Sequence, residues 1–207
     1  GLEGTLVFGA MAGYAIAYET GSPWIGVLAA AAAGSLFGVI QGVICSIPKV
    51  NDIAIGIAMM LLGLGLAFFF GKPYIQPVAP DLPAIPLGWW SDLPQVQAAL
   101  RVNVLFLIGI VAAIGLWWMF RATKIGLVIR VVGDSTDAAR AMGLRPAVVR
   151  TLSTAAGGAF AGVGGAYLSL YYPGSWNEGI SSGQGLMAVA LVIFARWNPI
   201  ACFGAAL

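Results

Sequence analysis

Apolar residues run almost unbroken through residues 24–47, 53–70, 102–120 and 151–172, and polar residues are confined to the gaps between them. Each run is close to the 20 or so residues that a helix needs to cross a bilayer. Two shorter apolar stretches accompany them. Residues 4–18 are interrupted by Gly9 and Gly13, and a stretch from residue 180 or 185 to residue 197 begins at the break Gly183-Gln184-Gly185. The pattern predicts an all-α fold: one polytopic transmembrane helix bundle over residues 1–207 with short or broken helices.

Small residues mark where these helices meet. Gly34, Gly38 and Gly42 recur at four-residue intervals, and Gly158, Gly162 and Ala166 form a second such stripe. This spacing puts small side chains on one helix face and lets backbones approach closely. Between the runs, residues 19–23 read as a turn, and Pro48-Lys49-Val50-Asn51-Asp52 as a tight connection in which Pro48 ends the helix.

Residues 71–101 break the pattern. They hold six of the eleven prolines, the pair Trp89-Trp90, and Lys72, Asp81, Asp92 and Arg101, whose charges cancel. A proline-rich loop with no net charge is expected on the extracytoplasmic face, its tryptophans at headgroup level.

Composition agrees with a membrane protein: 60% of residues are hydrophobic, 9% are charged and 29 are glycine. The net charge of +2 is unevenly spread. Six of the ten basic residues fall in residues 121–150 against Asp134 and Asp137, so that segment alone carries +4. Basic loops stay in the cytoplasm, which places this segment inside together with Lys49 and the turn at Arg196. The basic charge thus marks a loop facing the cytoplasm, and no nucleic-acid partner is expected.

The same segment encodes a short cytoplasmic helix over residues 135–142. Asp134 is placed to cap it, Asp137 adds negative charge to its first turn, Gly143 suits a left-handed residue just past its end, and Pro146 suits the first position of the next helix. Two turns are too short to be stable alone. Ala138, Ala139, Ala141 and Met142 are small or pliable enough to dock in another protein's groove.

Catalytic chemistry is absent. There is no histidine, nucleophile elbow or zinc motif, and Gly71-Lys72-Pro73 lacks the other residues of a phosphate-binding loop. No enzyme activity and no cofactor are expected. Cys45 and Cys202 are too few for a disulfide framework. No cleavable signal sequence is expected, since no basic stretch or small-residue cleavage site precedes the first apolar run. Two acids stand out instead: Glu3 and Glu178, each followed by glycine and then by a short, glycine-broken apolar segment. Broken helices in both halves of a transporter point to a solute path near the midplane, where a carboxylate is costly without a role. Glu3, Glu178 and Gln184 are therefore candidates for lining that path; the competing reading makes the acids helix caps.

The residues also carry a family resemblance. Gly-Leu-Glu-Gly-Thr at residues 1–5 resembles the Asn-x-Gly-x-Glu-Gly opening of permease subunits of ABC importers of the ribose and branched-chain amino acid type. Residues 123–134, with Ala138-Ala139 and Met142-Gly143-Leu144, are similar to that family's ATPase-coupling loop. Residues 182–199, from Ser-Gly-Gln-Gly-Leu-Met to Arg-Trp-Asn-Pro, resemble the signature of its simple-sugar and nucleoside branch. Ala195 stands where that signature commonly has glycine.

The likeness covers essentially the whole sequence, but the family's first and last spans have no counterpart, so a piece of a longer permease is expected. The resemblance implies that residues 121–150 are the coupling loop, with Gly133, Asp134, Asp137, Ala138, Ala139, Arg140, Met142 and Gly143 engaging a cytoplasmic ABC ATPase. It further implies a second permease subunit (as a homo- or heterodimer), an extracytoplasmic solute-binding protein or lipoprotein, membrane lipid, and passage of a simple sugar or nucleoside inward. The rival function is an ion-coupled secondary transporter, in which Glu3 or Glu178 would carry the ion.

Overall fold

In the computed structural model, residues 1–75, 78–80, 82–86, 101–171, 174–177 and 179–206 are described. Nine α-helices occur among them: α1 Leu2–Thr20, α2 Pro23–Ile44, α3 Asp52–Gly71, α4 Val104–Ala122, α5 Lys124–Asp134, α6 Thr136–Ala141, α7 Pro146–Leu170, α8 Gln184–Phe194 and α9 Pro199–Ala206. A single 3-10 turn, Lys72–Tyr74, extends α3. Among the described residues a three-residue antiparallel ladder joins β1 Ala84–Pro86 to β2 Arg101–Asn103. The fold is an all-α membrane bundle. By length and apolarity α2, α3 with its 3-10 turn, and α4 suffice to cross a membrane.

α1 is the centre of the bundle, with α2, α3 and α7 packed around it. The expectation that Gly9 and Gly13 interrupt this segment is wrong. α1 is a continuous 19-residue helix, and the two glycines are contact points: a Cβ on Gly9 would lie 2.6 Å from Gly162 Cα. The stripe on α2 meets the stripe on α7 in the same way, Gly34 against Gly158 and Gly38 against Thr154 and Ala155. Helices that touch backbone to backbone gain dispersion contacts that a lipid tail would not supply. Side chains then add specific ties: Ser169 on α7 donates to the Ala10 carbonyl of α1 at 2.9 Å.

Element boundaries follow capping chemistry more closely than apolarity. α2 stops at Ile44, three residues before the end of its apolar run. Asn51 caps α3 by accepting from Ile53 N (2.9 Å) and Ala54 N (3.3 Å). α7 begins at Pro146, five residues ahead of the apolar run, because proline already fits the first helical position.

The two ends of the bundle differ. At one end Arg150 pairs with Asp52 at 2.8 Å, tying the start of α7 to the start of α3. At the other, Tyr74 donates to Glu19 at 3.1 Å and Leu82 N donates to the Leu170 carbonyl at 3.0 Å. Lys124, Arg140 and Arg145 belong to elements on the Arg150 side, the basic end. Large apolar side chains cover the outside, among them Ile53, Leu61 and Phe69 on α3 and Val111 and Trp118 on α4. An apolar exterior is the expected surface for a bundle solvated by lipid. The Trp89-Trp90 pair lies outside the described residues.

Candidate functional site

Glu3 sits one residue into α1 and is only 5% exposed. Its depth follows from its neighbour. A Cβ on Gly4 would lie 2.6 Å from the Met60 carbonyl and 2.7 Å from that of Met59, and these two residues are near the middle of α3. The Glu3 carboxylate is therefore at mid-height of the bundle.

Both of its oxygens are occupied. Oε1 accepts from the Ser181 hydroxyl and from Gly183 N at 3.2 Å, and Oε2 accepts from Leu186 N at 3.2 Å. Gly183 and Leu186 are the N-cap and third residues of α8, which has no side-chain cap of its own because its N-cap is a glycine at φ 86°. A carboxylate from another helix supplies the missing cap. It satisfies Gly183 N, gives Leu186 N a second acceptor beside the Gly183 carbonyl at 3.0 Å, and places negative charge at the positive end of the helix dipole.

The glycines make this contact possible. Gly183 takes a left-handed conformation that other residues adopt only at a cost. A Cβ on Gly185 would lie 2.8 Å from Glu3 Cα. The Gly-Gln-Gly break is thus the imprint of α1 on α8. The polypeptide before it, residues 179–183, is turn rather than helix, with Asn177 Oδ1 accepting from Gly179 N at 3.1 Å. Gln184 is exposed in the first turn of α8 and does not join the Glu3 contacts. Glu178 lies outside the described residues.

The second candidate region is the basic segment. Thr123 closes α4 and opens α5: its hydroxyl donates to the Met119 carbonyl at 2.7 Å and accepts from Gly126 N at 3.2 Å. α5 then runs through Asp134, which corrects the expectation that Asp134 caps the next helix. Ser135 does so, accepting from Ala138 N at 3.2 Å. Both residue types are good caps. The amphipathic face of α5 carries the helix one residue further and hands the role to the serine.

α6 therefore spans Thr136–Ala141 instead of 135–142. Its far end matches the sequence reading. Gly143 has φ 77°, Leu144 N donates to the Ala139 carbonyl at 3.0 Å, and Gly143 N donates to that of Arg140 at 2.9 Å. These two bonds are a Schellman motif.

Ala139 is a further correction. It is fully buried within the chain, so it cannot sit in a partner's groove. The free face consists of Ala138, Ala141 and Met142, the last 59% exposed, with Gly133, Asp134, Asp137 and Arg140 also exposed. Asp137 pairs with Arg140 at 3.0 Å, a solvent-exposed bridge that contributes little.

Sequence reading missed three residues here. Ser135 had a signal, since it follows the amphipathic run directly. Asn103 also had one: it caps α4, accepting from Leu105 N at 2.7 Å, and is buried. Ser181 had none, being 178 residues from its partner.

Comparison with known proteins bears on the same regions. TsgC13 of Haloferax volcanii, named for a glucose ABC transporter permease, is 32% identical over 204 residues, covering 96% of this chain and 62% of its own length. The guanosine ABC transporter permease protein NupQ of Bacillus subtilis is 29% identical over 220 residues, covering 100% of this chain and 69% of its own length. The nucleoside ABC transporter permease protein NupC of Lactococcus lactis is 27% identical over 213 residues, covering 97% and 67%. The chain thus spans about two thirds of the length of these relatives. No solved structure matches it. Residues 1–207 in their entirety match the family described as the permease component of the branched-chain amino acid transport system. With its apolar spans and this full-length match, the chain is a multi-pass inner-membrane protein and belongs to that permease family.

Proposed function

We propose that this chain is the core of a permease subunit that passes a simple sugar or nucleoside into the cytoplasm, driven by ATP hydrolysis on a separate ABC ATPase. The relatives named for glucose, guanosine and nucleoside transport support the solute class. The observation that carries the coupling role is α6: six residues long, bonded at both ends, and exposing Ala138, Ala141 and Met142. So short a helix is held by its caps and by the burial of Ala139, which leaves its other face available to a partner. In this reading the basic end is cytoplasmic, the 71–101 loop faces a solute-binding protein or lipoprotein, and a second permease subunit completes the path.

Glu3 supports the path from behind. Its oxygens hold α8 and are not available to a solute, whereas exposed Gln184 in the first turn of α8 offers an amide to sugar or nucleoside hydroxyls. Glu178, just ahead of that turn, is assigned to the same path on sequence grounds. The occupied oxygens also weigh against ion coupling, since an ion would have to displace three donors.

The test is co-purification of the full-length permease with its ATPase and solute-stimulated ATP hydrolysis. Met142→Asp and Ala138→Trp should lose both while the permease still inserts and folds. Retention of the ATPase at wild-type levels in both variants would remove α6 as the coupling helix.

A further inference from the structure

We infer that the polar cavity between α1, α2 and α7 is a subsite for one sugar ring of an uncharged solute, with Gln41, Thr5 and Thr154 bonding its hydroxyls. This rests on the reading of the chain as a sugar or nucleoside permease, and adds the residues that select such a solute over an amino acid. The walls include Leu2 and Thr5 of α1, Gln41 of α2, and Thr154, Gly157 and Gly158 of α7. Thr5 adjoins Gly4 at mid-height of the bundle. Thr154 lies one turn, about 6 Å of rise, above Arg150 and its pair with Asp52. The cavity is therefore in the half of the bundle nearer the basic end, under the first turn of α1. Gly1 has no room for a Cβ beside the Gln41 amide, which tucks in below it, whereas a Cβ on exposed Gly157 would meet nothing and marks the open mouth.

Hydrogen bonding selects the occupant. Thr5 donates its proton to the Gly1 carbonyl at 3.1 Å, and Thr154 shares its proton between the Arg150 and Thr151 carbonyls, both at 3.0 Å. Each hydroxyl then has only acceptor capacity left to offer. Among the described residues nothing bonds the half-buried Gln41 amide, which keeps two N–H donors and a carbonyl free. An unpartnered polar side chain at membrane depth is costly unless a function uses it. Three side chains from three helices thus present acceptors and donors together, the complement of a hydroxyl group, which is both.

Charge and size narrow the class. Among the described residues no Asp, Glu, Lys or Arg lines the cavity, and both Glu3 oxygens are committed to the α8 side. The ammonium and carboxylate of an amino acid would each be stranded there without a counter-charge, whereas a sugar brings no charge to strand. The volume is about 220 Å³. That is below the roughly 300 Å³ at which pockets for drug-sized ligands begin, and equals about seven waters at roughly 30 Å³ each. Such a space suits a single ring with its hydroxyls, a hexose or the ribose half of a nucleoside.

The experiment uses full-length permease with Gly157→Cys and every other cysteine changed to Ser, treated with hydroxyethyl methanethiosulfonate, a small neutral thiol reagent. The thiol at the mouth should label, and glucose, ribose or guanosine should slow labelling several-fold while leucine leaves it unchanged. Gln41→Leu should abolish that protection. Because the amide it removes has no partner, this variant should melt no lower than the parent, which separates lost recognition from misfolding. No labelling, which would mean that protein covers the cavity, overturns the subsite. Labelling that none of the three neutral solutes slows, or protection that survives Gln41→Leu, overturns it equally, and protection by leucine overturns the solute class. ATP-driven uptake by the permease with its ATPase in proteoliposomes distinguishes the two readings. Uptake of leucine in place of glucose or guanosine would defeat the proposed function itself. Uptake of glucose or guanosine with a KM unmoved by Gln41→Leu, where a several-fold rise is expected, would defeat only the subsite.

Discussion

Ser181 donates its hydroxyl to the Glu3 carboxylate across 178 residues of chain, at mid-height of the bundle. The contact joins the first turn of the central helix to the break before α8. It converts two features that look independent in sequence, an acid at the start of one apolar segment and a glycine pair at the start of another, into one structure.

Removing the carboxylate should leave the Ser181 hydroxyl and Gly183 N bare, while Leu186 N keeps the Gly183 carbonyl at 3.0 Å. Glu3→Ala is expected to destabilise the permease by roughly 1–3 kcal/mol, the cost of orphaned buried donors. Glu3→Gln keeps an acceptor oxygen and should lose less. Ser181→Ala removes one of three donors and should cost about 1 kcal/mol. Thermal unfolding of the purified full-length permease orders these variants, and a Glu3→Ala protein as stable as wild type would show that α8 is not held from α1.

The glycines of the break should behave differently from one another. Gly183→Ala meets only backbone strain at φ 86°, about 1–2 kcal/mol, and Gly183→Asn should recover part of it. Gly185→Ala drives a methyl against Glu3 Cα and should cost about 1–3 kcal/mol by overpacking. Because it pushes α8 off its cap, its effect should overlap that of Glu3→Ala. A double-mutant cycle measured by unfolding should be clearly non-additive for Gly185 with Glu3 and nearer to additive for Gly183 with Glu3.

Periodicity and local punctuation carried much of this fold into the sequence. The spans, the glycine stripes, Gly143, Pro146 and the Gly-Gln-Gly break are all legible because each rests on residues close together in the chain. Glu3 was legible as an anomaly, an acid among apolar residues, but its role was not, since its partners are set by tertiary contact. Asp134 and Ser135 are adjacent residues of equal capping ability, and only the length of α5 decides between them. The side that Ala139 faces could not be read from a helix of under two turns in which nearly every residue is small. Glycine inside a helix misled in α1, where close contact and chain break leave the same mark.

Cys45 offers a probe of the basic end. Burial pushes its thiol above the ordinary range, Asp52 adds to this by charge and by accepting a hydrogen bond, and Arg150 works in the opposite direction. A raised value means less thiolate at neutral pH and slow reaction with maleimide. Asp52→Asn should therefore speed labelling of Cys45 and move its pH–rate curve to lower pH, and Arg150→Ala should slow labelling and move the curve to higher pH. Labelling rates indifferent to both substitutions would show that the turn after α2 does not sit beside the Asp52–Arg150 pair.

The coupling segment allows the sharpest separation of a residue's structural role from its role toward a partner, because α6 presents two faces to two surroundings. Ser135→Ala removes the cap on Ala138 N and should cost about 1 kcal/mol locally. Asp134→Ala removes only an exposed charge at the end of α5 and should leave α6 unchanged within roughly 0.5 kcal/mol. Amide exchange over Thr136–Ala141 in the isolated permease distinguishes them: faster for the serine variant, unaltered for the aspartate variant. Tryptophan at Ala139 has no space, since that side chain is wholly buried by its own chain, and should destabilise the permease typically by about 1–3 kcal/mol with no partner present. The same tryptophan at Ala138 points outward and should cost the isolated permease no more than about 0.5 kcal/mol. An Ala139→Trp permease that melts with the wild type, or an Ala138→Trp permease that melts well below it, would reverse the assignment of the two faces.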